Sequence, residues 1–246
     1  MKTILIISLS FIIGLATNKP VQAENHEKNA AHSRTKSDLA RDKASKPLQI
    51  MDFIGVKEGD DVLDFLGGGG YYSQLLAERV GSQGSVVLQT NQAYMKFVGK
   101  ALEERSANGG LAHVTRLLSE ADDLKLGEAK FDSAILVLGY HDFFFKDDGW
   151  DFPADKVIPQ LRKSLKKGGR LLIIDHSAAK DAGIIVTKTL HRIEGAYVKK
   201  DLTQRGFKFV KQSDILSNDK DARDLNVFEP KMRRNTDRFV YLFEKE

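Results

Sequence analysis

Two places in this sequence set an imidazole next to a carboxylate: His141 before Asp142 in the run Tyr140-His141-Asp142, and His176 after Asp175. Histidine titrates near neutral pH, so either side chain can remove a proton from a hydroxyl or an amine that is about to react. A third run, Asp64-Phe65-Leu66-Gly67-Gly68-Gly69-Gly70-Tyr71, leads from an acid into four glycines. Glycines let the backbone turn tightly and approach a ligand closely, and a helix starting there offers free N–H groups to an anion. A nucleotide-like ligand is expected at that turn. His26 and His32 fall in a polar N-terminal stretch, and His113 lies in a strand candidate where a packed imidazole is expected. His191 and Arg192 offer a grip for an anionic substrate group, or simply a solvated helix face. The chain has no cysteine, which excludes disulfides, thiolate ligands and a cysteine nucleophile.

These side chains need a frame, and the hydrophobic pattern supplies one. Short runs rich in Val, Ile and Leu predict strands at Asp61–Phe65, Ser85–Gln89, Ala112–Leu117, Ser133–Leu138, Arg170–Ile174, Phe207–Gln212 and Arg238–Phe243. Helix-length stretches lie between them at Tyr72–Arg79, Tyr94–Ala107, Asp155–Lys166 and Ile184–Arg205, the third ended by Gly168-Gly169 and the fourth by Gly206. Alternating strands and helices predict a mostly parallel sheet with helices on both faces, its last two strands pairing antiparallel at one edge. In such a sheet the fourth and fifth strands end side by side at the crevice, which brings His141, Asp142, Asp175 and His176 together. The aromatic cluster Phe143-Phe144-Phe145, with Trp150 and Phe152, follows the fourth strand as a pocket wall or a loop anchor.

The 246 residues, 41% hydrophobic and 29% charged, suit one large α/β domain and exclude collagen-like, coiled-coil and wholly disordered chains. Lys2, the apolar run from Ile4 to Leu15 and the small-residue site Val21-Gln22-Ala23 read as a secretory signal peptide over residues 1–23. The apolar run is too short to span about 30 Å of hydrocarbon, so no membrane anchor is expected after cleavage. Residues 24–46 read as a polar lead-in with a short helix capped by Ser37 and Asp38, and 47–246 as one domain. The formal charge of +4 is thin, and cleavage would also remove Lys2 and Lys19, so no nucleic-acid partner is expected. The mature protein is expected in the periplasm or secreted; its oligomeric state is not encoded in any motif.

The runs DFLGGGGYYS at 64–73, YHD at 140–142, LKKGGRLLIIDHSAA at 165–179, TLHRIEG at 189–195, GFKFV at 206–210 and TDRF at 236–239 carry a more specific likeness. With them the sequence resembles the class I, Rossmann-like S-adenosylmethionine-dependent methyltransferases, and within these a group of exported methyltransferases of unassigned substrate. The resemblance covers nearly the whole mature chain. It implies an α/β fold with a seven-stranded, mostly parallel sheet, helices on both faces and an antiparallel edge strand. Asp64, Gly68 and Gly70 match the family's D-x-G-x-G-x-G, with Leu66 in place of the first glycine, and the resemblance implies that they hold the methionine part of S-adenosylmethionine. It places Glu120 and Ala121 at the adenine edge. Where the family carries an acid on the ribose hydroxyls this chain has Gln89-Thr90-Asn91-Gln92, and Asn91 is expected to bond the ribose as an amide.

Methyl transfer is an in-line displacement, so the protein must position the nucleophile and, where needed, take its proton. His141 is expected as the general base toward a small-molecule substrate, with His176 shaping the same pocket. Tyr71 and Tyr140 either face the sulfonium with their rings or pack in the core. Two other readings stay open. His141, Asp142, Asp175 and His176, with His191 as a further donor, can ligate a divalent cation, although the spacing is no recognised metal motif and no metal is expected. A non-catalytic ligand-binding protein on the same fold is the other. Mass spectrometry of the exported fraction is expected to find Glu24 as the first residue; a full-length cytoplasmic form as the sole species would overturn the leader.

Overall fold

The computed structural model describes residues 34–147 and 149–246. The expected leader, most of the lead-in, His26 and His32 lie outside the described residues. Helices α1 (Lys36–Ser45) and α2 (Pro47–Ile54) precede the sheet. Then follow β1 (Asp61–Phe65), α3 (Tyr71–Val80), β2 (Ser85–Thr90), α4 (Gln92–Ala107), β3 (Val114–Leu118) and β4 (Phe131–Val137). A 3-10 turn (His141–Phe144), α5 (Ala154–Ser164), β5 (Leu165–His176), α6 (Thr187–Leu190), α7 (Gly195–Gln204), β6 (Phe207–Ser213) and β7 (Arg238–Lys245) complete the chain.

The seven strands lie in the order β3-β2-β1-β4-β5-β7-β6. β1 to β5 pair in parallel, while β7 runs antiparallel to both β5 and β6. The antiparallel pairing therefore sits at one edge, as the sequence predicts. Successive side chains of a strand point to opposite faces, and both faces are covered here. Leu63, Phe65, Leu136 and Ile173 pack toward Val157, Leu161, Val198 and Leu202 of α5 and α7. Val62, Ile135, Leu172 and Ile174 pack toward Ile50, Met51, Leu75 and Leu76 of α2 and α3. Among the described residues no helix is long and apolar enough to cross a membrane.

Two expected elements differ. The single helix over Ile184–Arg205 is broken into α6 and α7, because His191 adopts a left-handed backbone (φ +52°). The residues between them serve the sheet end instead: Ile193 donates its N–H to the carbonyl of His176, and Ala178 donates to the carbonyl of Ile193. The Gly168-Gly169 pair, expected to end the third helix, falls inside β5, and that helix stops at Ser164. Thr35, rather than Ser37, caps α1, in a reciprocal box with Asp38.

Arg105 of α4 ties three elements around the glycine turn. Its guanidinium grips both carboxylate oxygens of Asp38 on α1 at 3.0 and 2.8 Å. It also donates to the carbonyl of Gly69 at 2.7 Å and to Oε1 of Gln74 on α3 at 2.6 Å. Burial would raise the Asp38 carboxyl, but Arg105 and the N–H of Thr35 bring it down to about 2. Removing one member of a buried pair typically costs about 3–5 kcal/mol. Arg105→Leu is therefore expected to lower stability to chemical denaturation by about that much at pH 7. The contribution of Asp38 is present above its ordinary carboxyl range and is lost as pH falls toward about 2, so the gap between wild type and variant should narrow in acid.

Candidate active site

The glycine turn follows β1 and opens α3. Leu66, in place of a glycine, holds φ at +52°, a conformation that costs a branched L-residue about 1–2 kcal/mol. Its N–H donates to Oε1 of Gln89 at 3.3 Å, and the amide nitrogen of Gln89 donates to the carbonyls of Thr90 at 3.0 Å and Ser119 at 3.2 Å. Gln89 is fully buried and so ties together the ends of β1, β2 and β3. Asp64 is buried at the head of the turn and accepts the Ser73 hydroxyl at 2.5 Å. Burial pushes its carboxyl up to about 6 against the opposing pull of Ser73. Gly68 and Gly70 both take positive φ, +57° and +77°. Helix α4 closes over the far part of the turn, where a Cβ on Gly69 would lie 3.0 Å from Ala101 and one on Gly70 would lie 3.0 Å from Leu111. Gly68 is the roomier position, facing only the Tyr94 hydroxyl at 3.7 Å and Val98 at 3.9 Å.

The imidazoles meet at the neighbouring strand ends. Asp175, fully buried at the end of β5, accepts the His141 N–H at 2.9 Å, the His141 Nδ1 proton at 2.8 Å and the His176 N–H at 2.8 Å. That bond sets the proton on Nδ1 and turns Nε2 of His141 toward Asp142, 3.1 Å away. Burial alone would lower the His141 pKa, but the carboxylates of Asp175 and Asp142 overcome it and raise it to about 10. Burial would raise Asp142, and His141 and His191 hold it at about 2. His191 Nδ1 lies 3.8 Å from the same Asp142 oxygen, with its ring edge-on to His141 at 5.4 Å. His176 bonds Thr236 Oγ1 through Nδ1 at 2.7 Å, its ring 6.2 Å from that of His141. Desolvation, reinforced by the charge of His141, drives His176 well below the ordinary imidazole range. Both ring nitrogens of His141, expected as the base, thus already face a carboxylate, Nδ1 toward Asp175 and Nε2 toward Asp142.

Tyr94 and Trp150 join the two halves. Tyr94 meets Trp150 edge-on at 6.2 Å, and the indole N–H donates to the carbonyl of Asp142 at 2.7 Å. Burial first, then the charges of Asp142 and Asp64, push the Tyr94 hydroxyl up to about 12. No motif marks Tyr94 in the sequence, since only the path of α4 brings it over Gly68.

Several expected contacts lie elsewhere. Asn91 accepts the N–H of Tyr94 on its Oδ1 at 2.8 Å as the cap of α4, which leaves its amide nitrogen as the group that could reach a ribose. Tyr71 donates to Asp42 at 2.5 Å and its ring carries the Arg41 guanidinium at 3.9 Å, which occupies the face expected for a sulfonium. Tyr140 is wholly buried, donates to Asp201 at 2.5 Å and packs on Phe143 and Phe144; the core role holds, not the cation contact. Glu120 accepts the N–H of Gln92 at 2.9 Å, tying the loop after β3 to the start of α4, and Ala121 is buried beside it with its carbonyl bonded to Gln160 at 2.7 Å. Arg192 grips buried Asp221 at 2.8 and 3.1 Å rather than facing a substrate.

A model of the ubiE/COQ5 methyltransferase family matches residues 38–197. The ubiquinone/menaquinone biosynthesis C-methyltransferase UbiE of Idiomarina loihiensis is 28% identical over 173 residues, 70% of this chain and 59% of that protein. Its namesake from Francisella tularensis subsp. holarctica is 31% identical over 123 residues, 50% of this chain and 45% of that one. The chain thus spans about half the length of the curated relatives it matches. Among solved structures, a SAM dependent methyltransferase from Aquifex aeolicus has a TM-score of 0.61 at 20% identity, covering 90% of this chain and 98% of that one. An S-adenosylmethionine dependent methyltransferase from Mesorhizobium loti has a TM-score of 0.57 at 14% identity, covering 82% and 98%. At these identities the structures establish a shared fold.

Family and fold imply S-adenosylmethionine as cofactor, and the residues present fit it. The hydroxyl of Thr90, at the end of β2, is buried without a hydrogen-bond partner, which leaves a donor and acceptor for a ligand hydroxyl where Asn91 was expected to supply one. Asp64 and the Gly68 backbone would hold the methionine part. The lowered pKa of His176 carries a stability signature. The unfolded chain binds a proton there below about pH 6.5 and the native protein does not, so stability should fall as pH drops through that range. His176→Gln is expected to flatten this acid-side slope in denaturation curves taken from pH 7 down to pH 5.

Proposed function

The chain belongs to the ubiE/COQ5 methyltransferase family, and from that premise we propose that it transfers the methyl group of S-adenosylmethionine to a small aromatic acceptor carrying a hydroxyl. The observation that carries this reading is the juxtaposition of the two halves of the crevice. Asp64 and the glycine turn stand at the end of β1, and the protonated His141, clamped by Asp175 and Asp142, stands at the end of the neighbouring strand β4. Aromatic side chains support the acceptor class: Phe145 and Phe228 meet His191 at 5.6 and 4.8 Å, and Trp150 lies against Tyr94. The curated relatives are by name C-methyltransferases of ubiquinone/menaquinone biosynthesis, which supports a quinone-like acceptor.

In this reading the cofactor supplies the electrophilic methyl group. The chain orients the acceptor, and its aromatic belt excludes water. An acceptor hydroxyl bound here would release its proton to solvent, and the charge of His141 would favour the electron-rich anion left behind. This role replaces proton removal by His141, and His176 supports the pocket from β5. The N-terminal apolar run alone supports placing this chemistry outside the cytoplasm.

The test begins with calorimetry and the fluorescence of Trp150, the sole tryptophan of the chain, during titration with S-adenosylhomocysteine. Saturable heat and a change in Trp150 emission are expected, both lost in Gly68→Val. Absence of either signal from the wild type at millimolar ligand would remove the reading. With labelled cofactor and a panel of phenols and hydroquinones, His141→Gln is expected to lower turnover by roughly 10²- to 10³-fold with cofactor affinity nearly unchanged.

A further inference from the structure

We infer that His141, Asp142 and His191 form a binding site for a divalent transition metal of the zinc type at the acceptor end of the crevice. Each residue offers one donor atom, and the three atoms all lie within 4.8 Å of one another. Donors about 2.0–2.2 Å from a tetrahedral ion are separated by roughly 3.3 Å. The observed separations from Asp142 Oδ1, 3.1 Å to His141 Nε2 and 3.8 Å to His191 Nδ1, bracket that value. The remaining pair, His141 and His191, lies within 4.8 Å, so His191 would move inward by up to about 1.5 Å to close the site.

The surroundings have the form of a metal shell rather than of an isolated ion pair. A histidine ligand characteristically donates its second ring N–H to a carboxylate, which fixes the tautomer and aims the other nitrogen. Asp175 does this for His141 at 2.8 Å while accepting two backbone N–H groups as well. His191 is held in the left-handed backbone that breaks the helix (φ +52°), a conformation that recurs at functional sites, and its ring is braced by Phe145 and Phe228. The side chains of Asp142 and His191 keep 21% and 23% of their exposure, against 4% for His141. An ion can therefore enter from solvent and retain open positions. Two imidazoles and one carboxylate select zinc-like or iron-like divalent ions over magnesium or calcium, which prefer oxygen donors. Asp175 and His176, counted as ligands in the sequence reading, are excluded: Asp175 supports His141, and His176 is bonded to Thr236. The ion would put the positive charge assigned above to the His141 proton on a metal that an acceptor oxygen can reach.

The site is defined by its donors and does not require methyl transfer, so it is tested without cofactor. The purified chain, stripped with a chelator and dialysed, is titrated at pH 7.5 with Zn²⁺ by calorimetry and with Co²⁺ by visible d–d absorption. One equivalent is expected to bind, with Co²⁺ bands of nitrogen–oxygen coordination. His191→Ala and Asp142→Asn should each weaken binding at least tenfold, and Asp175→Asn by about 10- to 100-fold. His176→Gln should leave affinity unchanged. Circular dichroism identifies any variant that fails to fold, and the partly exposed His191→Ala keeps the test decisive if Asp175→Asn does. Absence of saturable Zn²⁺ and Co²⁺ binding, or binding unaffected by both His191→Ala and Asp142→Asn, overturns the proposal. Neither result bears on S-adenosylhomocysteine binding at Gly68, so the two readings fail separately.

Discussion

A carboxyl group removed from water must have its oxygens bonded, and Asp175, wholly buried at the end of β5, meets that demand with three donors. Two of the three come from His141, through its backbone N–H and its ring. The turn after β4 must therefore bend toward β5, and once it does, Asp142 is directed outward to the crevice. The loop that carries His191 meets it there, because Ile193 bonds the same strand end through the carbonyl of His176. The arrangement of one side of the crevice thus follows from how a single buried carboxyl group is bonded.

The other side depends on coupled departures from the family pattern. Leu66 stands in a backbone conformation suited to glycine, and its N–H is received by Gln89. The amide of Gln89 also donates to the carbonyls of Thr90 and Ser119. A carboxylate at this position could accept from Leu66 but could not donate to those two carbonyls. The absent acid is thus part of how three strand ends are joined, and the unbonded hydroxyl of Thr90 is the polar atom left for a ligand at β2.

All seven strands were legible from the sequence: β1, β2, β4 and β5 as buried runs rich in Val, Ile and Leu, and the more exposed β3 and the antiparallel β6 and β7 as short apolar runs set off by turn-forming residues. So was the meeting of His141, Asp142, Asp175 and His176, since it follows from strand order alone. What was not legible depends on long-range partners. The break at His191 reflects bonds from Ile193 and Arg192 to the sheet end and to Asp221, a tertiary pull that no local periodicity records. Asn91 read as a ribose partner because its type suits that role, yet the same amide chemistry caps a helix. Tyr71 and Tyr140 read as open to a cation because nothing in their neighbourhood announces Arg41 or Asp201. The charge state of His141 needed the distances to both carboxylates.

The position of β7 bears on how the molecule is made. This strand follows β6 in the chain, yet it lies inside the sheet between β5 and β6. Synthesis proceeds from the N-terminus, so β1 to β5 can assemble while the ribosome is still adding residues, whereas β6 has no partner in the sheet until β7 has been made. Thr236 and Asp237, which bond the ring of His176 and the N–H of Ser177, emerge just ahead of that strand. The crevice therefore stays unbraced on one side until the segment leading into β7 has been added. A chain that has not yet made β7 presents the bare edge of β5 as a pairing template, open to any strand that can supply the missing hydrogen bonds.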